Sequence, residues 1–196
     1  MKKIIPLICL LLIGCTAQSK VINKANGDSK TYNTFKNIDE NNYCLELFDR
    51  NTNKNDSTKI ILAKKSSASL YEINGTINQT TIQKNGYKYV FDNIQKTYTK
   101  EKINKQVDNS IGLIPKNINK LKTAGYKTGK TKIFNKNLIY EKYVNKDAET
   151  TYYFNANKLI YIRYKTFDKI LLYKFDKLSK PKSSMFKLKN YQLITY

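Results

Sequence analysis

The chain has 196 residues, with 36 Lys or Arg against 15 Asp or Glu, and therefore a formal net charge of +21. It contains no histidine and no tryptophan. Because the commonest general base and metal ligand is missing, histidine-dependent catalysis and Cys/His zinc sites are excluded. We therefore expect a protein that is not an enzyme and that holds no metal or cofactor.

The first fifteen residues have the pattern of an export signal. Lys2 and Lys3 precede an apolar run over residues 4–13, which is too short to cross a bilayer but suits a signal-peptide core. No other apolar run in the sequence is long enough to span a membrane. The pattern predicts a signal peptide over residues 1–14.

The end of this segment, Leu12 to Cys15, resembles the lipobox of bacterial lipoproteins. The resemblance implies cleavage between Gly14 and Cys15 and acyl chains on Cys15, which would anchor the protein to a membrane on the extracytoplasmic side of the envelope. The alternative is an ordinary secretory signal in which Cys15 is incidental. In that family an Asp at position 16 retains proteins in the inner membrane, so Thr16 favours the outer membrane where a cell has two.

Residues 15–40 are polar and predict a lipidated flexible tether, with a short helix near Phe35 and Ile38. Residues 41–196 form one β-rich domain. Since Cys9 leaves with the signal and Cys15 carries lipid, Cys44 remains alone, cannot form an internal disulfide, and is predicted to be a small core residue.

Strands dominate the first half of the domain. In the run 43–48, alternate residues predict a half-buried strand, with Tyr43 and Leu47 on one face and Cys44 on the other. Further strands are predicted over residues 59–63 and 69–73. Asn85-Gly86 predicts a two-residue hairpin, because both positions of such a turn need positive φ. After it, Tyr87, Tyr89 and Phe91 share a face.

One stretch has helical spacing. Apolar residues recur at intervals of three and four, Pro115 lies near the start, and Gly125 stands where a C-capping glycine would lie. The recurring residues are Ile111, Ile114, Ile118 and Leu121. Strands resume over residues 138–143, 151–154, 159–164 and 170–175. Together, the predicted strands and helix indicate a mainly β (α+β) fold with a curved antiparallel sheet or half barrel of about eight to eleven strands.

This order of hairpins, a mid-chain helix and long closing strands resembles the half barrel of the lipoprotein carriers LolA and LolB. The most similar part is residues 127–194, including the stretch 152–159 and the ending 185–191. In that ending Lys189 and Asn190 stand where the family has a Pro-to-Gly stretch. The resemblance implies a sheet around an apolar cavity that takes acyl chains, under a lid of helices.

The counterpart of that cavity in this chain is a candidate apolar ligand face. It would oppose an aromatic strand face to the helix, and its residues are Tyr87, Tyr89, Phe91, Ile111, Ile114, Ile118 and Leu121. The alternative is that the same residues make a filled core, as apolar stripes usually do.

The charge has two interpretations. Lysines are spread along the whole chain together with Asn, Ile and Tyr, which favours general solvation over a dedicated polyanion site. Anionic envelope polymer or anionic lipid remains a possible partner, and no nucleic acid is expected.

Two short motifs resemble catalytic signatures. Residues 124–131 fit a loosened phosphate-loop spacing, but a helical segment precedes them and a strand-like one follows, so we interpret them as a turn. Residues 127–129 and 179–182 resemble two sequence motifs of penicillin-recognising enzymes. The motifs stand in the reverse order along this chain, so we reject that interpretation. We therefore expect a non-catalytic binding or carrier module for a hydrophobic ligand or lipoprotein. The alternative is a structural lipoprotein that contacts wall polymer, lipid or a protein through its basic surface.

Overall fold

The computed structural model describes residues 19–23, 25, 27–50, 59–65, 69–73, 79–105, 112–187 and 190–195, with 69–73 described only in their backbone. The predicted signal peptide, Gly14 with Cys15, and Ile111 lie outside the described residues.

All described strands belong to one open sheet, in the order β1-β8-β9-β10-β11-β12-β2-β3-β4-β5-β6-β7-β13. Neighbouring strands are antiparallel except β13 with β7, which are parallel. The strands are β1 (Lys20–Ile22), β2 (Asn42–Asp49), β3 (Lys59–Lys65), β4 (Ser69–Ile73), β5 (Gln79–Lys84), β6 (Tyr87–Asp92), β7 (Thr97–Lys102), β8 (Tyr126–Ile133), β9 (Lys136–Val144), β10 (Glu149–Asn155), β11 (Lys158–Lys165), β12 (Ile170–Ser179) and β13 (Gln192–Leu193).

The prediction of a mainly β fold is confirmed. Eleven of the thirteen described strands have five residues or more, and the predicted number misses β1 and β13 at the two edges. Those two strands have only three and two residues, so they are too short to show an alternating pattern in the sequence. The helices are also short: α1 (Lys30–Phe35), α2 (Ile118–Leu121) and a 3₁₀ turn at Ser183–Phe186. No helix in the described part of the chain is long and apolar enough to cross a membrane.

The local patterns on which the strand predictions depended are confirmed. Asn85 and Gly86 have φ values of 53° and 76° and connect β5 to β6 as a two-residue hairpin. In β2, Tyr43, Leu45 and Leu47 enter the larger core. Cys44 faces the opposite side, where it is buried with Ala63 and Phe186. Strand alternation thus sends apolar side chains to both faces of the sheet.

The larger core lies on the sheet face that carries α1 and α2. Phe35 of α1, fully buried, packs there with Leu45, Phe154 and Ile162. The other face carries smaller clusters, one around Cys44 and one around Leu138, Tyr153 and Tyr161. The face that bears the helices is therefore the one on which a covered site can form.

Within the described residues, the predicted tether is wrong from Lys20 onward, because Lys20–Ile22 form β1 and pair with β8, and Ala25 is buried. Ser29 caps α1 by accepting from the Tyr32 N–H at 2.9 Å, and Ser29, Thr31 and Phe35 are completely buried. The short helix predicted near Phe35 and Ile38 is confirmed as α1, which ends at Phe35 and does not reach Ile38. Residues 30–35 belong to the packed domain.

The predicted helix is mostly wrong. Only Ile118–Leu121 is helical, and the turn before it holds Asn117 at a φ of 58°. Pro115 restrains the residue before it to extended backbone, so the helix cannot continue back to Ile114. Gly125 is no C-cap, since Lys122 has that place. A Cβ on Gly125 would lie 2.6 Å from the Asn23 carbonyl oxygen, so its role is close approach of two backbone segments.

The predicted turn over residues 124–131 is also wrong, because most of it forms β8. This strand pairs along its whole length with β9 and over residues 126–128 with β1. Its exposed side chains include Lys127, Lys130 and Lys132. Lysines are typical of strands near the edge of a sheet, where they discourage pairing with other chains, and they make such a strand resemble a loop in sequence.

Candidate functional site

Residues 112–117, which we call the strap, cross the sheet face in front of α2. Thr150 Oγ1 donates a hydrogen bond to the Gly112 carbonyl oxygen at 2.9 Å, and the Tyr152 hydroxyl donates to the Leu113 carbonyl oxygen at 3.3 Å. Gly112 has a φ of 83°, and a Cβ there would overlap the Tyr164 ring. Only glycine satisfies both conditions, so the strap lies directly on the sheet.

A pocket of about 370 Å³, which we call the strap pocket, lies between residues 112–124 and the sheet. It is partly open to solvent. Its apolar covering residues are Ile114, Pro115, Leu121 and Ala124. The rings of Tyr143, Tyr152 and Tyr164 line the sheet side. Lys116, Asn117, Lys120 and Asn145 supply polar groups. The volume falls within the range of about 300–1,000 Å³ that is usual for small-molecule sites, and an apolar lining with few polar groups is typical of them.

Three adjacent strands bring the tyrosines together. Tyr143 of β9 and Tyr164 of β11 both lie beside Thr150 of β10, so they share one cross-strand row. Tyr152 belongs to the next row of the same face, and its ring lies 6.0 Å from the Tyr143 ring in an edge-to-face arrangement. The three tyrosines are 9 and 12 residues apart along the chain, so only the strand register brings them into one group.

Two tyrosines on the sheet side of the pocket, Tyr143 and Tyr152, are neutral. Burial raises the pKa of Tyr143 and that of Tyr152 well above the ordinary value. In each case desolvation of the phenolate is the largest cause, and neighbouring negative charge or tyrosine adds to it. Tyr143 and Tyr152 therefore present neutral hydroxyl groups to the pocket at physiological pH.

A buried carboxylate fastens α1 beside these rings. Glu141 of β9 is 3% exposed and accepts from the N–H groups of Lys30 and Thr31 at 2.8 and 2.9 Å. It also accepts from the Thr31 hydroxyl at 2.7 Å and from the Tyr143 hydroxyl at 3.3 Å. These donors compensate the burial of its charge, and the first turn of a helix favours an anion. Glu141 therefore has a structural role next to the pocket, which sequence reasoning missed.

The predicted ligand face is divided between two regions. Ile114 and Leu121 line the pocket, while Ile118 is part of the larger core. Tyr87, Tyr89 and Phe91 lie on β6, several strands away, and do not line it. There Phe91 stacks on Tyr98 of β7, with ring centroids 5.4 Å apart. Within the described residues, the two predicted halves do not form one site.

The aromatic residues of β6 and β7 form a second region, the aromatic ladder, made of Tyr87, Tyr89, Phe91 and Tyr98. Tyr191 packs edge-on against Phe91, with ring centroids 4.9 Å apart. The Lys100 ammonium lies 4.0 Å from the Tyr87 ring centroid, in a cation–π contact. The rings of the ladder are thus in contact with one another and with neighbouring side chains.

The donor set of the described residues contains no group of three or more His, Cys, Asp or Glu residues that could hold a metal ion. Cys44 is buried, and burial raises the pKa of its thiol, with the Glu46 carboxylate as a second cause. The thiol is therefore a packing group in its cluster with Ala63 and Phe186.

The sequence matches no protein-family model, and a search of curated proteins finds no match either. The function must therefore be argued from the pocket itself.

Proposed function

We propose that the protein is a membrane-anchored envelope lipoprotein whose β-rich domain binds a hydrophobic ligand in the strap pocket, without catalysis. Acyl chains on Cys15 would hold it outside the cytosol, at the outer membrane where the cell has two. The proposal includes the LolA/LolB-like half barrel. The observation that supports the binding proposal is the pocket of about 370 Å³ between an aromatic sheet face and an apolar covering segment.

The position of the strap supports a binding site. Two hydrogen bonds from Thr150 and Tyr152 fix the strap on the sheet, yet space remains beside it. A well-packed core leaves few voids larger than a water molecule. A space of this size with an apolar lining is what a ligand site needs.

The chain also brings the pocket near the proposed anchor. β1 begins at Lys20 and pairs with β8, where Ile22 lies opposite Tyr126. The Tyr126 ring is 5.5 Å from that of Tyr143, which lines the pocket. From Cys15 to Lys20 an extended chain reaches at most about 18 Å. A lipid attached at Cys15 would hold the pocket side of the sheet close to the membrane, where apolar ligands are found.

A second candidate is a structural lipoprotein that acts through its basic surface. The observation that favours it is the core itself: Phe35, Leu45, Leu47, Phe154 and Ile162 are fully buried on the same face as the pocket. In that case the pocket would be a surface depression, and anionic polymer, lipid or a protein partner would bind the exposed lysines.

Calorimetric titration with oleate tests the first proposal. The full chain carrying Cys15→Ala, which cannot be acylated, is expected to bind oleate saturably with one site. Ala124→Phe places a ring in the pocket and is expected to lower the affinity at least about tenfold, since one displaced chain segment of two or three methylenes is worth that much.

Ile94→Phe is the matched control, because Ile94 is an exposed apolar residue in the turn between β6 and β7. It is expected to leave the oleate affinity unchanged. Absence of saturable binding, or an Ala124→Phe variant that binds as the parent does, would instead favour the structural lipoprotein.

A further inference from the structure

We propose that the ligand of the strap pocket is an anionic amphiphile whose charged group is bound by Lys116 and Lys120. Its apolar chain would lie against the tyrosine rings. This inference rests on the proposed function and adds to it the chemical class of the ligand. It assigns two lysines that no pattern in the sequence distinguishes from the many others.

The charge of the pocket is positive and uncompensated. Lys116 and Lys120 are exposed residues of its lining, and no lining residue is acidic. In the part of the chain that the structure describes, neither lysine has a carboxylate within 4.0 Å. By contrast, Lys142 of β9 pairs with Glu149 at 3.1 Å. The two pocket lysines therefore remain available to an anion.

The nearby carboxylates already have donors. Glu40 accepts from the Ile118 N–H at 2.8 Å, at the start of α2, and does not line the pocket. Glu141 accepts from the first turn of α1. The raised pKa values of Tyr143 and Tyr152 keep both hydroxyl groups uncharged. Nothing in the lining repels an anionic group.

The two parts of the lining select different parts of one molecule. Rings and aliphatic groups cannot compensate the desolvation of an anion, so a fully hydrophilic polyanion has no reason to enter. Lysine side chains extend an apolar stem and hold the ammonium group in water, which places a charge above an apolar surface. A single chain with a carboxylate or phosphate at one end matches this arrangement.

Binding of chain-matched probes to the Cys15→Ala protein tests the inference. The probes are oleate, oleyl alcohol, oleylamine and oleoyl lysophosphatidate, each below its micelle concentration. Oleate is expected to bind about tenfold more tightly than oleyl alcohol, as two partly exposed ion pairs would give. Oleylamine is expected to bind more weakly than the alcohol. Raising the salt concentration is expected to reduce the preference for oleate.

The double variant Lys116→Met/Lys120→Met keeps the apolar stems and removes both charges. It is expected to lose about tenfold in oleate affinity and to bind oleyl alcohol unchanged. Lys127→Met/Lys130→Met is the matched control. It removes the same charge from exposed residues of β8 that do not line the pocket, and it is expected to bind every probe as the parent does.

The outcomes separate the two proposals. Equal affinity for oleate and oleyl alcohol, or an unchanged oleate affinity in the pocket double variant, overturns the anionic ligand while leaving the hydrophobic pocket standing. No binding of any probe overturns both. Tighter binding of oleate than of oleoyl lysophosphatidate identifies a fatty acid as the source of the anion, and the reverse order identifies a lipid phosphate. Either order supports the inference.

Discussion

Two regions of the same sheet are rich in tyrosine and phenylalanine, and among the described residues the rings of one line the pocket under the strap while the rings of the other contact one another. On β9, β10 and β11 the rings face the strap and α2, which span a space above them. On β6 and β7 the rings of the aromatic ladder contact one another, and Tyr191 and Lys100 lie on them. Aromatic alternation makes a half-buried face in both regions. The segment that covers the face decides whether space is left for a ligand.

The covering segments differ in what they place on the rings. Backbone carbonyl groups of the strap accept hydrogen bonds from Thr150 and Tyr152 of β10, and Gly112 rests on a ring. On the ladder the Tyr191 side chain packs directly on a ring, and its hydroxyl donates to Asn93 at 2.8 Å. The segment after Tyr191 is also held by backbone bonds, since the Gln192 and Ile194 N–H groups donate to the Lys96 and Tyr98 carbonyl oxygens. This contrast can be tested by three substitutions.

The largest effect is expected from Gly112→Ala. The added Cβ would overlap the Tyr164 ring, and the alanine would have to keep a φ of 83°. Either the strap or the Tyr164 ring must therefore move. Left-handed backbone costs about 1–2 kcal/mol and overpacking about 1–3 kcal/mol, which together predict a loss of about 3 kcal/mol in the free energy of unfolding. Urea unfolding measures it.

Gly86→Ala is the control for this substitution, because Gly86 has a similar φ of 76° but no atom near its would-be Cβ. It is expected to cost only about 1 kcal/mol, the backbone contribution alone. Equal losses in the two variants would show that contact between the strap and Tyr164 is unimportant.

An intermediate effect is expected at alkaline pH. Since burial raises the pKa of Tyr152 in the folded state, the unfolded chain releases its phenolic proton first. The stabilisation from the neutral phenol is complete below pH 10 and is lost as the pH rises above it. At pH 11 the loss is about 1.4 kcal/mol for one such tyrosine relative to neutral pH.

Tyr152→Phe removes this contribution, so the variant is expected to lose less stability than the parent between pH 8 and pH 11. The measurement is urea unfolding at both pH values, with the difference between the two taken for each protein. Parallel losses in parent and variant would contradict the assignment of a buried, neutral Tyr152 to the sheet side of the pocket.

The smallest effect is expected in the ladder. Phe91→Leu keeps a buried apolar side chain but removes stacking with Tyr98 and the edge contact with Tyr191. Aromatic pairs contribute about 0.5–1.5 kcal/mol beyond their buried area, so we expect a loss of about 1 kcal/mol in stability. Oleate affinity is expected to stay unchanged. A clear loss of oleate binding would return the ladder to the candidate ligand face predicted from the sequence.

The two regions also show how far sequence patterns reach. Period-two alternation of apolar residues identified β2. The Asn85-Gly86 pair identified the hairpin, because both positions of such a turn need positive φ. The helix prediction failed over residues 112–117, where the apolar residues are buried as expected but Pro115 and Asn117 prevent helical backbone. A spacing of three and four shows that residues share a buried side. It does not show that the backbone between them is helical.

The pocket itself could be predicted only in part. Ile114 and Leu121 were selected, and they do line it. Their aromatic partners were predicted on β6, but the tyrosines that line the pocket lie on β9, β10 and β11. Tyr143, Tyr152 and Tyr164 carry no local signal that separates them from the other tyrosines of the chain. Likewise, nothing in the sequence distinguishes Lys116 and Lys120 from lysines that solvate the surface.

The sequence alone determined the mainly β class, several strands, a tight hairpin and the burial of Cys44, because each of these follows from the order of neighbouring residues. The export signal and the lipid anchor are predictions of the same local kind. Only the tertiary structure decided that residues 30–35 pack into the domain, that Glu141 fastens α1, and that the strap covers three tyrosines. Such contacts join residues such as Lys30 and Glu141, which are 111 positions apart, and strand order and register, which local patterns do not contain, bring them together.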